Sequence, residues 1–300
     1  MAIADNIFTG GAGTGNLATP GNWTVAVAAD QNLIFPADAP TTYVLTGDLS
    51  ATAVNSVVNM SSCRFGASAA APVKFNVGSA DGSAVNLFDD YGLGDRYFNV
   101  TNAANANLLG RGTVQLDGIN NGTLRISQTG GTITVGPVPG TPCEFDVVAL
   151  IAGSGTANLV NVTTQAGAAV PINRIDGTVN LYTYSRLAAV YQSAGTWRHY
   201  DNGVATHQSG VVSAIYQAGG TCFYNSTGAL TALDAYGKVD FSTEDMRPKT
   251  VTTGKFYRGS SNLDPNGTVT WTNPFQTPLC SLKDITCDVG NHKKYTVADI

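Results

Sequence analysis

The side chains that could do chemistry are few in this chain of 300 residues, and their spacing does not favour catalysis. Of the three histidines, His199, His207 and His292, the first two are near each other. Asp201-Asn202-Gly203 intervenes as a turn, so the two do not keep the even spacing that would place both rings on one strand face. They read as surface or partly buried hairpin residues, not as a metal pair. The acidic pairs Asp89-Asp90 and Glu244-Asp245 are adjacent in sequence, so on strands they point to opposite faces. Glycan cleavage needs two carboxylates held on one face, and these read as turn acids, as do Asp81-Gly82 and Asp117-Gly118. The five cysteines, Cys63, Cys143, Cys222, Cys280 and Cys287, are odd in number and dispersed, with no C-x-x-C pair. They read mostly as small core residues, without a disulfide framework or a zinc site. A Gly-x-Ser-x-Gly elbow and a phosphate-cradling Gly-x-x-x-x-Gly-Lys run are both absent. The expectation is no catalytic, cofactor-binding or metal-binding residue, and no enzyme.

Aromatic residues offer a different chemistry. Tyr182, Tyr184, Tyr191, Trp197, Tyr200, Tyr216, Phe223 and Tyr224 cluster in one stretch. Facing inward they would be ladders of a core or a subunit interface; facing outward they could stack on sugar rings. Core or interface is the preferred expectation.

The elements that must carry these residues are strands. Val73-Lys74-Phe75-Asn76-Val77, Tyr97-Phe98-Asn99-Val100 and Glu144-Phe145-Asp146-Val147-Val148 alternate with a period of two. A Gly-Thr pair opens strand after strand: Gly112-Thr113-Val114-Gln115-Leu116, Gly122-Thr123-Leu124-Arg125-Ile126, Gly131-Thr132-Ile133-Thr134-Val135, Gly177-Thr178-Val179-Asn180-Leu181 and Gly267-Thr268-Val269-Thr270-Trp271. Glycine supplies the tight corner and threonine starts the pleated surface. Val190-Tyr191-Gln192-Ser193-Ala194-Gly195-Thr196-Trp197 matches Ile215-Tyr216-Gln217-Ala218-Gly219-Gly220-Thr221-Cys222, about 25 residues later. Spacings of roughly ten and roughly twenty to twenty-five fit one face and one full coil of a β-solenoid. An antiparallel β-sandwich or jelly roll is the alternative, since its turns recur at about eight to twelve residues. Ahead of the repeats, residues 6–17 read as a loop leading to a first strand at Asn22-Trp23-Thr24-Val25-Ala26-Val27, followed by a short apolar strand at Asp30-Gln31-Asn32-Leu33-Ile34-Phe35-Pro36 that the proline stops.

Only 12% of residues are charged, glutamate occurs only at Glu144 and Glu244, and 43% are hydrophobic. Strong helix formers are scarce and Ser, Thr, Asn, Gln and Gly must cover the surface. The net charge of −5 excludes a basic face for nucleic acid; Lys293-Lys294 is too small a grouping to supply one. No stretch reaches the ~20 apolar residues of a membrane span, and the N-terminus lacks the pattern of a secretory leader. Synthesis and folding in a cytoplasm is the expectation.

Three regions follow: an N-terminal cap or attachment segment over residues 1–50, a repetitive β domain over 51–245, and a proline-punctuated C-terminal cap or extended arm over 246–300. The Gly-Thr strands, with the Asn22-Trp23 and Asn32-Leu33-Ile34-Phe35 opening, resemble the β-helical passenger repeats of bacterial surface proteins and the β-solenoid structural proteins of tailed-phage virions. A surface passenger implies an export leader and an anchoring domain. A virion protein implies neither, being made in the host cytoplasm and released by lysis. That resemblance implies a capsid-decorating or fibre-like protein, a homo-oligomer taken as a trimer, with a major capsid or tail protein as partner. The alternative is a carbohydrate-binding or glycan-cleaving tailspike-like β-helix that meets a surface glycan.

Overall fold

A computed structural model describes residues 4–36, 44–58, 64–65, 73–77, 85–90, 95–100, 105–110, 113–117, 122–128, 130–136, 142–164, 172–174, 177–182, 184–199, 211–226, 228–242, 248–278, 280 and 284–288. The chain is all-β with almost no helix, its strands parallel and stacked as a β-solenoid. It divides into two compact units, Met1–Ala157 and Asn158–Ile300.

In the first unit successive strands alternate between two ladders. Val85–Asp90, Asn105–Gly110, Gly122–Gln128 and Cys143–Gly153 pair in parallel, in that order, on one. Val73–Val77, Asp95–Val100, Thr113–Asp117 and Thr132–Val135 do so on the other. A chain that contributes one strand to each ladder per circuit is coiling, and this excludes the sandwich and the jelly roll, whose neighbours are antiparallel.

The opening of this unit differs from the expected loop and strand. Asp5–Ile7 is itself a strand, parallel to Asn32–Ile34, which in turn pairs with Ser56–Val58. Residues 24–28 are not a strand. Asn6 explains why: its side-chain amide donates to Val25 O at 3.1 Å and its Oδ1 accepts from Val25 N at 3.3 Å. One buried amide thus takes the place of a ladder at Val25. Asn22 is buried as well, and its amide donates to Thr14 O and Asn16 O while its Oδ1 accepts from Ala12 N. These bonds fold the glycine-rich segment back on itself. Beneath it Phe8, Trp23 and Phe35 meet with all three ring centroids 5.4 Å apart, and the Trp23 indole donates to Leu17 O at 2.8 Å.

The second unit repeats the coil with better-defined corners. Arg186–Gln192, Val211–Gln217, Ala229–Ala235, Lys249–Phe256 and Val269–Trp271 form one parallel ladder. Thr178–Leu181, Thr196–His199, Thr221–Phe223, Lys238–Asp240, Ser261–Leu263 and Thr286–Asp288 form the other. The region after Met246, read above as a cap or arm, therefore supplies further rungs of these same ladders. The matched octapeptides lie side by side, with Val190 opposite Ile215, Tyr191 opposite Tyr216 and Gln192 opposite Gln217.

Inward positions stack by type. Val190, Ile215 and Leu233 follow one another in register, fully buried. So do Val179, Trp197, Cys222 and Val239 on the other ladder. A third column is aromatic: His199 to Tyr224 at 4.5 Å between centroids, then Tyr224 to Phe241 at 5.8 Å, edge to face. Five of the corners are Gly-Thr pairs. Gly131, Gly177, Gly195, Gly220 and Gly267, each followed by a threonine, all have positive φ, between 61° and 81°. At Gly220 a side chain would also collide with the Gly195 carbonyl of the coil before it.

Candidate functional site

Outward-facing aromatics of the second unit line one groove. In the first ladder a side-chain column reads Tyr191, Tyr216, Asp234, Lys255 on successive coils. Two residues further along each coil, at the corner, the column reads Ser193, Ala218, Tyr236, Tyr257. Bonds from Ala218 N to Gln192 O, Tyr236 N to Gln217 O and Tyr257 N to Ala235 O hold this second column in step. The tyrosines thus change column halfway. The Tyr191 and Tyr216 rings stack at 4.8 Å with 23° between planes, and Tyr236 and Tyr257 at 4.0 Å with 3°.

Ser193 and Ala218 are small, so one side of the Tyr236 ring is left without a ring neighbour in its column. The groove there, about 340 Å³, is lined by both tyrosine pairs, Gln192, Ser193, Gln217, Ala218 and Asp234. Tyr236 is 54% exposed and Tyr191 39%. Partial burial, with the Asp234 carboxylate and Tyr236 close by, holds the Tyr257 phenol above the usual tyrosine range.

Two glutamines hold the groove's inner wall. Gln192 Nε2 donates to Gly195 O and to Thr221 O, both at 3.0 Å. Gln217 Nε2 donates to Gly220 O and Lys238 O, both at 3.1 Å, and to Gln192 Oε1 at 3.3 Å. Each amide thus bonds a carbonyl of its own corner and one of the following coil. The ladder ends there, because Ala235 stands where a third glutamine would continue it. Gln217 Oε1, buried, is left with no protein donor.

The other predicted aromatics separate by strand parity. Trp197 and Tyr224 are buried, so both belong to the core and neither can be a surface platform. The Tyr224 hydroxyl donates to Gly228 O, and burial pushes its pKa up against the smaller opposing pull of a Ser226 hydrogen bond. Phe223 is half-buried beneath two cations, with Arg198 Cζ 5.0 Å and Lys238 Nζ 5.6 Å from its centroid. Tyr182 is half-buried and Tyr184 is 49% exposed, and neither lines the groove. Tyr200 lies outside the described residues.

The reading of the sequence missed Tyr236 and Tyr257. Both stand at corners that lack the Gly-Thr signature, Tyr236-Gly237-Lys238 and Tyr257-Arg258-Gly259. Extending the octapeptide alignment by two further coils would have found them.

His199, read from the sequence as a surface or partly buried hairpin residue, is instead fully inside, between Trp197 and Tyr224. Burial drives its pKa down to about 3, only partly offset by the Phe223 backbone. Neither ring nitrogen has a hydrogen-bond partner of good geometry. Cys143 and Cys222 are buried, and burial raises the Cys222 pKa, with the Asp240 charge adding to it. Cys280 is half-buried, and Cys287 is exposed instead of sitting in the core. Cys63, His207, His292, Glu244 and Asp245 lie outside the described residues. Among the described residues no three His, Cys, Asp or Glu side chains gather at metal-binding distance, and no helix is long and apolar enough to cross a membrane. No protein-family model matches the chain, and no curated protein or solved structure matches it.

Proposed function

We propose that this chain is a structural protein of a phage particle, a homo-oligomer that decorates or extends the capsid or tail surface. The observation that supports this reading is that the solenoid's polar side chains are bonded to one another from coil to coil. Gln192 to Gln217, Asn32 to Asn55 and Ser56, and Asn158 to Asn180 are ladders of neutral groups. Amides bonded from one coil to the next hold neighbouring coils in register and need no charge to do so. Rigid, weakly charged coils suit a part that must keep its shape outside a cell. Mass spectrometry of purified particles released by the strain that encodes the chain tests the proposal. The protein is expected at a stoichiometry that is a multiple of three, and its absence from particles would sink the reading.

The second reading, a carbohydrate-binding or glycan-cleaving tailspike-like β-helix, draws on one observation, the tyrosine-lined groove. Among the described residues Asp234 is the carboxylate that lines it. Hydrolysis by paired carboxylates calls for a second one at about 5–10 Å, so the groove favours binding over cleavage.

A further inference from the structure

We infer that the groove beside Tyr236 is a binding site for a neutral glycan chain, with the Tyr236 ring as the platform for one pyranose and the Tyr191–Tyr216 pair as its flank. This rests on the second of the two readings above, and particle composition tests the first, so each can fail without the other.

The platform is preorganised. Tyr236 lies flat on Tyr257 at 4.0 Å, and a ring held on one side by a stacked partner loses little freedom when a ligand covers the other. Its other side looks along the corner column toward Ala218 and Ser193, whose small side chains leave the space open. The apolar C–H face of a pyranose fits an aromatic face of this kind. The ring's equatorial hydroxyls would then reach sideways, where the groove offers an acceptor, the Asp234 carboxylate. A carboxylate that can take two hydroxyls suits a ligand rich in O–H donors.

The same features weigh against other occupants. Asp234 and the net charge of −5 disfavour phosphates and uronic acids. The volume, about 340 Å³, falls at the low end of small-ligand sites, roughly 300–1,000 Å³. A second protein chain would need about 800 Å² of contact from each side.

The test uses the full chain and four neutral hexasaccharides as probes: β-1,4-glucan, α-1,4-glucan, β-1,3-glucan and β-1,4-linked N-acetylglucosamine. Binding is read by calorimetry and by saturation-transfer NMR. At least one probe is expected to bind with Kd below about 1 mM. Tyr236→Ala should weaken it at least tenfold, Tyr236→Phe should stay within about threefold, and Tyr184→Ala, outside the groove, should leave it unchanged. Circular dichroism checks that each variant is folded. Failure of all four probes to bind at 10 mM overturns the inference, and so does a Tyr236→Ala variant that binds like the parent. Light scattering supplies a third arm: if Tyr236→Ala lowers the molar mass of the parent assembly, the platform is a contact between copies of this chain and the glycan assignment falls.

Discussion

Gln217 Nε2 donates to Gln192 Oε1 at 3.3 Å inside the second unit, joining two coils whose sequences match over eight residues. The same nitrogen serves Gly220 O and Lys238 O. The amide nitrogen carries two hydrogens shared among these three acceptors, and Gly220 O also accepts from Lys238 N, so Gln217→Ala should leave Lys238 O and Gln192 Oε1 the poorer for a donor. A buried group left unpaired costs about 1–3 kcal/mol, so a loss within that range is expected. Denaturant titration would measure it as a lower midpoint at unchanged slope. A loss below about 1 kcal/mol would mean that water replaces the amide.

Two glycines separate backbone strain from collision. Gly220 and Gly259 have almost the same φ, 81° and 83°, but a Cβ at Gly259 meets nothing, whereas one at Gly220 meets the Gly195 carbonyl and comes within 2.9 Å of Gln192 Nε2. Gly259→Ala should cost about 1–2 kcal/mol, the price of a left-handed alanine. Gly220→Ala should add roughly 1–3 kcal/mol of overpacking to that. Thermal unfolding of the pair reads the difference, and equal losses would show that the corner can open.

A third glycine reports on the end of the ladder. The Trp271 indole lies against Gly254, where an added Cβ would overlap the six-membered ring. The Trp271 ring also packs with Phe256 and Phe275, with ring centroids 6.0 and 5.6 Å apart. Gly254→Ala should expel the indole, costing about 1–3 kcal/mol. Tryptophan emission should shift to the red. Unchanged emission would mean the strand bends while the indole stays.

Acid should loosen the core through His199. Its pKa is about 3 in the folded chain and ~6.5 when unfolded, so between these values the unfolded chain binds the extra proton. Stability from this group is complete above ~6.5 and is lost as pH falls toward 3, at about 1.4 kcal/mol per pH unit. Asp240 adds in the same direction: burial pushes its pKa up, but hydrogen bonds from Ser242 and Lys238 outweigh this and hold it low. His199→Phe keeps a ring in the column and should flatten the stability profile between pH 6.5 and 4. A variant as acid-sensitive as the parent would move the effect elsewhere.

The coil was legible because its signal is local. A glycine that must take positive φ and a threonine that starts a strand recur at many turns, and Gly131, Gly177, Gly195, Gly220 and Gly267 all prove to be such corners. The opening was not legible because Asn6 and Asn22 organise it through side-chain amides, which leave no periodicity. The aromatic cluster was half legible: strand parity sends Tyr191 and Trp197 to opposite sides once the strand bounds are known. Tyr236 and Tyr257 were missed because their corners lack the Gly-Thr signature, and only an alignment carried on coil by coil brings the two into one column.

The change of column from Tyr191 and Tyr216 to Tyr236 and Tyr257 makes the two ends of the groove unlike. One end meets a pair of rings at the strand position, the other a pair at the corner, with a carboxylate beside it. A linear polymer lying there would have to choose a heading, so the solenoid's own polarity would be imprinted on whatever it holds.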